Sequence, residues 1–405
     1  MVSEADNPAP RDTAALAESL DRVLAWSHAR DYVGFSKFDL YNSPLARAVV
    51  PSNHRLRALL GALWARSPIN LRPLLRVQPS RNPKGIALFA MAYLRRYQCT
   101  QQTDDLARAE ELLDWLDQTH ARGYAGKCWG YDHPWYSLHF YAPRDSPNVV
   151  VSGNVAHTFL EAYEVTGNEK YLETARSCVR FLLTDLSAPE QSAEMRNIGY
   201  IPGSDWAVLN INGLAGSVLA RTAKHTGEAE LTQEARRLIA FLADKQTDYG
   251  AWHYAWPDDT SRVKHDNYHT GNVLDWLLDY TTLTGDTSFR EQFRRGLVFY
   301  RDQLLLPSGQ PKWRSDRVWP ADVHSAAQTI VTFSKAAVEF DPAALDDAHR
   351  VAAWSVRHLQ SPAGYFIYQQ GRFWKKRYTL MRWCNAWMAF ALSSLLLAEH
   401  RLDRK

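Results

Sequence analysis

The densest group of side chains suited to acid–base chemistry is the run HDNYH at residues 265–269. It places Asp266, Tyr268 and His269 within four positions, and His and Tyr commonly abstract or donate protons in enzymes. His324 belongs to a second polar group further along the chain. We therefore expect Asp266, Tyr268, His269 and His324 to be catalytic, with Tyr268 or His269 as the base.

These residue types fit removal of the C5 proton of a uronate. That reaction needs a base, and it also needs groups that neutralise the adjacent carboxylate. Asn154, His324 and Arg382 could hold that carboxylate. The sequence therefore predicts a lyase or an epimerase that acts on an anionic, uronate-containing sugar or glycan.

Two other functions remain open at this stage. A glycoside hydrolase would use two carboxylates, about 5–5.5 Å apart in retaining enzymes and about 6.5–9.5 Å apart in inverting ones. Its candidate residues are Asp132, Asp205, Asp266 and Asp322. The other alternative is a non-catalytic glycan-binding or assembly protein.

Aromatic and polar side chains outside the catalytic candidates predict a surface that binds substrate. Eight of the 15 Trp lie in long connecting segments, where they would either stack on sugar rings or pack beneath the loops. His157, Gln328 and Asn385 lie about one turn inside predicted helices, where helix capping does not explain them. The expected substrate-binding residues are Trp129, Tyr131, Asn154, His157, Asn212, Trp252, Trp313, Gln328, Arg382 and Asn385.

A repeat along the chain predicts the elements that would position these residues. Apolar segments rich in Ala, Gly and Ser recur at steps of 54 to 68 residues, each followed by an amphipathic segment. The turns Thr166–Asn168 and Thr284–Asp286 contain a Gly that can end one helix and a side chain that can cap the next. The helix at 14–29 would pair with the last helix, at 383–400. We therefore predict an all-α (α/α)6 toroid of six hairpins.

The connections between hairpins are long, and each leads into the start of an inner helix, so all of them should meet at one mouth of the ring. Long loops are usually functional, and helix N-termini attract anions. These loops also carry the basic residues Arg262, Lys264, Lys312, Arg314, Arg317, Lys375, Lys376 and Arg377. The expected ligand is therefore a carbohydrate or sugar phosphate.

Composition and charge narrow the possible partners and the compartment. The formal net charge of +3, without a polybasic run, predicts neither a nucleic-acid nor a membrane partner. The sequence contains no run of 18 apolar residues, so it predicts no membrane-spanning helix. The polar start and four dispersed Cys favour a cytoplasmic protein, with residues 1–13 flexible and 14–405 forming one domain. We expect no metal and no cofactor.

The chain resembles the VpsJ-type family of bacterial polysaccharide-biosynthesis proteins. The resemblance runs from about residue 30 to 395. It is carried by NPKG (82–85), CWGY (128–131), NVVVSG (148–153), DNYHTGN (266–272), PADVHSAAQ (320–328) and RWCNAWM (382–388). The resemblance implies an α/α toroid related to glycoside hydrolases and polysaccharide lyases, and a role in exopolysaccharide metabolism.

Overall fold

The computed structural model describes residues 11–260 and 263–404, which form two concentric rings of helices. The outer ring begins with α1 (Thr13–His28), and two short helices, α2 (Pro44–Val49) and α3 (His54–Arg66), follow it. The inner helices are α4 (Pro83–Thr100), α6 (Val149–Thr166), α8 (Leu209–Thr226), α10 (Asn267–Thr284), α12 (Val323–Glu339) and α14 (Trp387–Leu402). The other outer helices are α5 (Thr103–Gln118), α7 (Glu169–Thr184), α9 (Ala229–Asp244), α11 (Arg290–Leu304) and α13 (Ala344–Leu359).

The ring closes as the repeat predicts. Each inner helix contacts the next, α14 contacts α4, and α1 packs against α13 and α14. The (α/α)6 toroid is therefore confirmed. A single contiguous core runs through both rings, because the inner helices are buried on nearly all faces whereas the outer helices bury one face.

Small residues let the inner helices approach one another closely. A Cβ on Gly271 would lie 2.6 Å from Cγ of Gln328, so α10 and α12 could not pack as they do with a larger residue. At the hairpin turns, Gly167 and Gly285 end their helices with φ of 70° and 75°. Asn168 caps α7 as expected. Asp286 does not cap α11, because that helix begins later, and its carboxylate accepts from the backbone of Ser288.

Short antiparallel strands fasten the long loops to one another at the mouth. They are β1 (Trp135–Tyr136) with β2 (Tyr141–Ala142), β3 (Ala207–Val208) with β4 (Ala255–Trp256), and β5 (Ala321–Asp322) with β6 (Gln369–Gln370) and β7 (Lys375–Lys376). The last two sheets join loops from different hairpins. The starts of α8, α10, α12 and α14 are therefore held in a fixed arrangement.

A cap that the sequence pattern does not predict covers the mouth, formed by residues 33–82 with α2 and α3. The cap has a small core of its own around Trp64 and Tyr41. On one side, Arg57 donates to Tyr136 of the first long loop. On the other, Tyr368 donates to the carbonyl of Ala65. The cap therefore bridges loops from two different hairpins.

Asp132 anchors the cap to the ring. Its carboxylate, 2% exposed, accepts hydrogen bonds from the side chains of Ser36, Ser80 and Asn82 and contacts His133. Despite burial, these partners hold its pKa at about 2. The carboxylate therefore stays ionised at neutral pH. It joins the cap to Asn82, the N-cap residue of helix α4.

We expect Asp132→Ala to lower the free energy of unfolding by about 3–5 kcal/mol, because several buried donors lose their acceptor. Since the folded pKa of about 2 lies below the ordinary 3.8, this stabilisation is present above pH 3.8 and is lost as pH falls towards 2. Urea unfolding at neutral pH measures the loss. Asp205→Ala, at an exposed aspartate, is the control and should change little. A loss below 1 kcal/mol for Asp132→Ala would contradict the anchoring role.

The start of the chain is held more firmly than expected where it is described. Residues 1–10 of the segment expected to be flexible lie outside the described residues. Arg11 pairs with Asp346 on α13, and Asp12 caps α1, so the helix begins at Thr13. No helix in the described part of the chain has the length and apolar character needed to cross a membrane.

Candidate functional site

The carboxylate of Asp266 fixes the orientation of His269 at the start of α10. One oxygen accepts from the backbone N–H of His269 at 2.8 Å, and the other contacts Nδ1 of its ring, also at 2.8 Å. Because an ionised carboxylate only accepts, this contact assigns a proton to Nδ1 and leaves Nε2 as the nitrogen that can accept one. The ring centres of Tyr254 and Tyr268 each lie 4.4 Å from the ring centre of His269. The pair is therefore arranged for His269 to act as a base.

His324, at the start of α12, is buried among aromatic rings next to this pair. Its ring stacks on Tyr268 at 4.9 Å and lies 4.4 Å from Trp383 and 4.3 Å from Trp387. Burial and the nearby cations Lys84, Arg382 and Lys37 hold its pKa well below the ordinary value. The imidazole is therefore neutral at neutral pH. Neither of its nitrogens has a hydrogen-bond partner among the described residues.

Three basic side chains surround His324, and none forms an ion pair within the described structure. Lys37, Lys84 and Arg382 are only 8%, 5% and 5% exposed. The Lys37 ammonium lies 3.6 Å from the ring centre of Trp383, and the guanidinium of Arg382 lies 5.0 Å from that of Tyr131. A buried cation without an acidic partner costs several kcal/mol. This basic cluster, Lys37, Lys84 and Arg382, therefore has the properties of a site that receives an anion.

The pKa values of the two lysines reflect this burial. Burial lowers the pKa of Lys37 to about 8, with Asp322 opposing the shift and Arg382 adding to it. Burial and Arg382 lower the pKa of Lys84 well below its ordinary value. Asp322 forms no ion pair with either lysine among the described residues, and its oxygens accept from Trp383 and Gln369.

The lowered pKa of Lys37 predicts a pH-dependent stability difference. The unfolded chain keeps this proton up to the ordinary pKa of 10.5, whereas the folded chain releases it above about 8. Between these two pH values the unfolded state binds more protons than the folded state does. The loss of stability that Lys37 causes therefore decreases as pH rises. We expect Lys37→Met to be more stable than the wild type near neutral pH, and its advantage to shrink towards about pH 10. Urea unfolding at several pH values measures this, and a difference independent of pH would contradict it.

Tyr268 lies in the site but is not suited to the role of base. Burial, together with the charges of Asp266 and Asp322, raises its pKa well above the ordinary value. The phenol therefore stays protonated at neutral pH and can only donate a proton. Of the two bases expected from the sequence, the geometry favours His269.

The expected binding residues separate into those at the mouth and those deeper in the ring. Tyr131 and Arg382 lie in contact at the mouth. Asn154 and His157 instead line a cavity of about 500 Å³ along the ring axis, and Trp387 separates this cavity from His324. Gln328 is buried at the same depth, where it donates to Asp275. Asn154 therefore does not help His324 and Arg382 to hold a carboxylate, as the sequence suggested.

Four other expected binding residues have structural roles. Trp129 and Trp252 are 1% and 4% exposed, and each indole N–H donates to the backbone of an outer helix. They pack beneath the loops, so they are not stacking platforms for a sugar. Asn212 and Asn385 are fully buried and bond to loop backbone at Ile198 and Phe366.

Trp313 and the loop bases contribute less than expected to the mouth. Trp313 is half-buried in the loop before α12, and none of the described ring contacts involves it. Arg314 pairs with Asp316, and Lys376 donates to the carbonyl of Arg66 in the cap. Arg262 lies outside the described residues.

The candidate carboxylates of a hydrolase all have other partners or lie exposed. Asp132 and Asp322 each accept several hydrogen bonds, and Asp266 holds His269. Asp205 is exposed. Burial raises the pKa of Asp275 to about 7, but this side chain lies in the deeper cavity.

Several important residues escaped the sequence analysis. Lys37 comes from the cap, and no local pattern links it to the mouth. Lys84 had a signal: it is a lysine in the first turn of a helix whose other residues up to Leu94 are apolar and buried. Trp383 and Trp387 occupy the start of the last inner helix, where a π-helical turn spans Met381–Ala386. Within the described residues, no three His, Cys, Asp or Glu side chains are arranged to hold a metal ion.

Comparison with solved structures identifies similar folds at low sequence identity. An α-mannanase from Bacteroides thetaiotaomicron has a TM-score of 0.64 at 14% identity, over 82% of this chain and 89% of that one. The cellobiose 2-epimerase from Bacillus thermoamylovorans has a TM-score of 0.58 at 14% identity, over 78% and 87%. An unsaturated glucuronyl hydrolase specific for heparin has a TM-score of 0.58 at 12% identity, over 81% and 89%.

No protein-family model matches the chain, and comparison with curated proteins found no match. The structural comparisons show a shared architecture: this chain has the six-hairpin α/α toroid fold of these enzymes.

Proposed function

We propose that this protein is a carbohydrate-active enzyme that binds an anionic sugar at the mouth and removes the proton beside its carboxylate. The observation that carries this proposal is the basic cluster, three buried cations without an acidic partner, next to the Asp266–His269 pair. A uronate supplies the missing negative charge. It also supplies an acidic C–H bond at the carbon that bears the carboxylate.

In this proposal Arg382 and Lys84 bind the carboxylate. Neutralising its charge stabilises the carbanion that forms at C5. Nε2 of His269 accepts the C5 proton, while Asp266 stabilises the resulting imidazolium. Expulsion of the substituent at C4, whose oxygen takes a proton from the His269 imidazolium or the Tyr268 phenol, then gives an unsaturated product. Return of a proton to the opposite face inverts C5 instead, and in this proposal the protonated phenol of Tyr268 donates it.

The fold comparisons support a sugar as the substrate, since an epimerase, a mannanase and a glucuronyl hydrolase share the architecture. The resemblance to VpsJ-type proteins adds the proposal that the reaction belongs to polysaccharide metabolism. We also propose that it takes place in the cytoplasm. The four thiols, all free in the structure, fit a reducing compartment.

The experiment incubates the enzyme in D2O with glucuronate-, galacturonate- and mannuronate-containing oligosaccharides, and with neutral glucan and mannan as controls. Mass spectrometry detects deuterium at C5, and absorbance near 235 nm detects an unsaturated product. We expect one of these signals with a uronate and neither with the neutral sugars. Cleavage without deuterium or unsaturation would overturn the proposal in favour of hydrolysis. Binding without turnover would overturn it in favour of a glycan-binding protein.

A further inference from the structure

The charge of this chain is strongly segregated, although its net value is small. No Asp or Glu occurs between Leu40 and Thr103. Seven Arg fall within the part of that stretch that contributes to the cap: Arg47, Arg55, Arg57, Arg66, Arg72, Arg76 and Arg81. The cap is therefore cationic, which the overall charge of +3 conceals.

The same segment exposes most of the molecule's uncovered aliphatic side chains. Every exposed Leu or Ile among the described residues lies on it or, in the case of Leu138, in the loop that packs against α3. Leu74 is 74% exposed and Val49 79%. On α3, the side chains of Arg55, Leu59, Leu63 and Arg66 follow helical spacing along one exposed face. The exposed aliphatic side chains of this segment are Leu45, Val49, Leu59, Leu63, Ile69, Leu71 and Leu74.

The hairpin between β6 and β7 extends this surface. At its tip Phe373 is 87% exposed, Trp374 is 46% exposed, and Arg372 and Lys375 flank them. The next residue along the hairpin, Lys376, donates to the carbonyl at the end of α3. The hairpin therefore lies against the end of α3 at the mouth end of the toroid, and we call its tip, together with the exposed side of α2 and α3, the cap face.

We propose that the cap face docks on a membrane surface rich in anionic lipid. Leu, Phe and Trp side chains flanked by Arg and Lys are the composition of segments that lie in the bilayer interface. Each basic residue near an anionic leaflet adds to the attraction. A second copy of this chain is a poorer partner, because pairing two acid-free cap faces would bring like charges together. This proposal departs from the expectation of no membrane partner, which was drawn from the small net charge and the absence of a polybasic run.

The test is co-sedimentation of the full-length protein with two kinds of vesicle. One kind contains only phosphatidylcholine, and the other mixes it with phosphatidylglycerol. The variants are Phe373→Gln and the double variant Leu59→Gln/Leu63→Gln. Val298→Gln is the matched control, since Val298 is an exposed apolar side chain on α11, away from the cap. All four substituted side chains are exposed, so the fold should not depend on them.

We expect the wild type to bind the phosphatidylglycerol vesicles, and added salt to weaken this binding because charge contributes. Each cap variant should bind roughly ten-fold more weakly or worse, whereas the control should bind as the wild type does. Wild-type protein that stays in the supernatant would overturn the proposal. So would cap variants that bind normally. An oligomer that forms without vesicles and is broken by Phe373→Gln would also overturn it and would assign the face to a protein interface.

Discussion

His269→Ala is expected to lower kcat by about 10²- to 10⁴-fold, because the variant loses the group that accepts the substrate proton. The ring contacts those of Tyr254 and Tyr268, and its Nδ1 contacts Asp266 at 2.8 Å. Asp266→Asn should also lower kcat, since it removes the charge that stabilises the imidazolium. An asparagine still caps α10, so this second variant separates catalysis from folding.

The matched control for this pair is His400→Ala, because that histidine lies at the opposite end of the ring near the end of α14. It should keep wild-type kcat. Thermal unfolding of all three variants shows whether each one folds. If His269→Ala folds normally and keeps full turnover, His269 is not the base.

Arg382→Met is expected to weaken binding of a uronate by about 30- to 1,000-fold, equivalent to about 2–4 kcal/mol. Yet it should leave stability unchanged or raise it, because the wild-type protein buries this guanidinium without an acidic partner. Lys84→Met should behave in the same way. A residue retained only for packing or pairing would show the opposite relation, with stability lost when it is replaced.

Isothermal titration calorimetry measures the affinity of each variant for glucuronate, with glucose as the neutral ligand for comparison. Arg377→Met is the control, since this exposed arginine lies on a loop at the same mouth. It should change neither binding nor stability much. Equal loss of uronate and glucose binding in Arg382→Met would contradict recognition of the carboxylate. A large loss of stability would show instead that the arginine is structural.

The sequence was sufficient for the toroid because its signals are local and repeated. Glycine turns such as Gly167 end helices through their own backbone conformation, and helices apolar on all faces have no place except an inner ring. The cap escaped because α2 and α3 are short and belong to no repeat. Their position depends on distant contacts, such as that of Ser36 with Asp132.

The site was predictable only in part, for a similar reason. Asp266, His269, His324 and Arg382 could be found because polar side chains stand out at the starts of apolar helices. Lys37 could not be found, because the chain places it there through the fold of the cap. The local sequence also does not show whether a side chain is exposed or buried. A loop Trp can face a ligand or pack beneath the loop, and Trp129 and Trp252 pack beneath it.

A crystal structure with glucuronate bound tests the proposed site most directly. We expect the carboxylate of glucuronate within about 3 Å of the guanidinium of Arg382 and the ammonium of Lys84, with C5 facing Nε2 of His269. A carboxylate bound elsewhere would contradict it, for example in the deeper cavity beside His157 and Arg221.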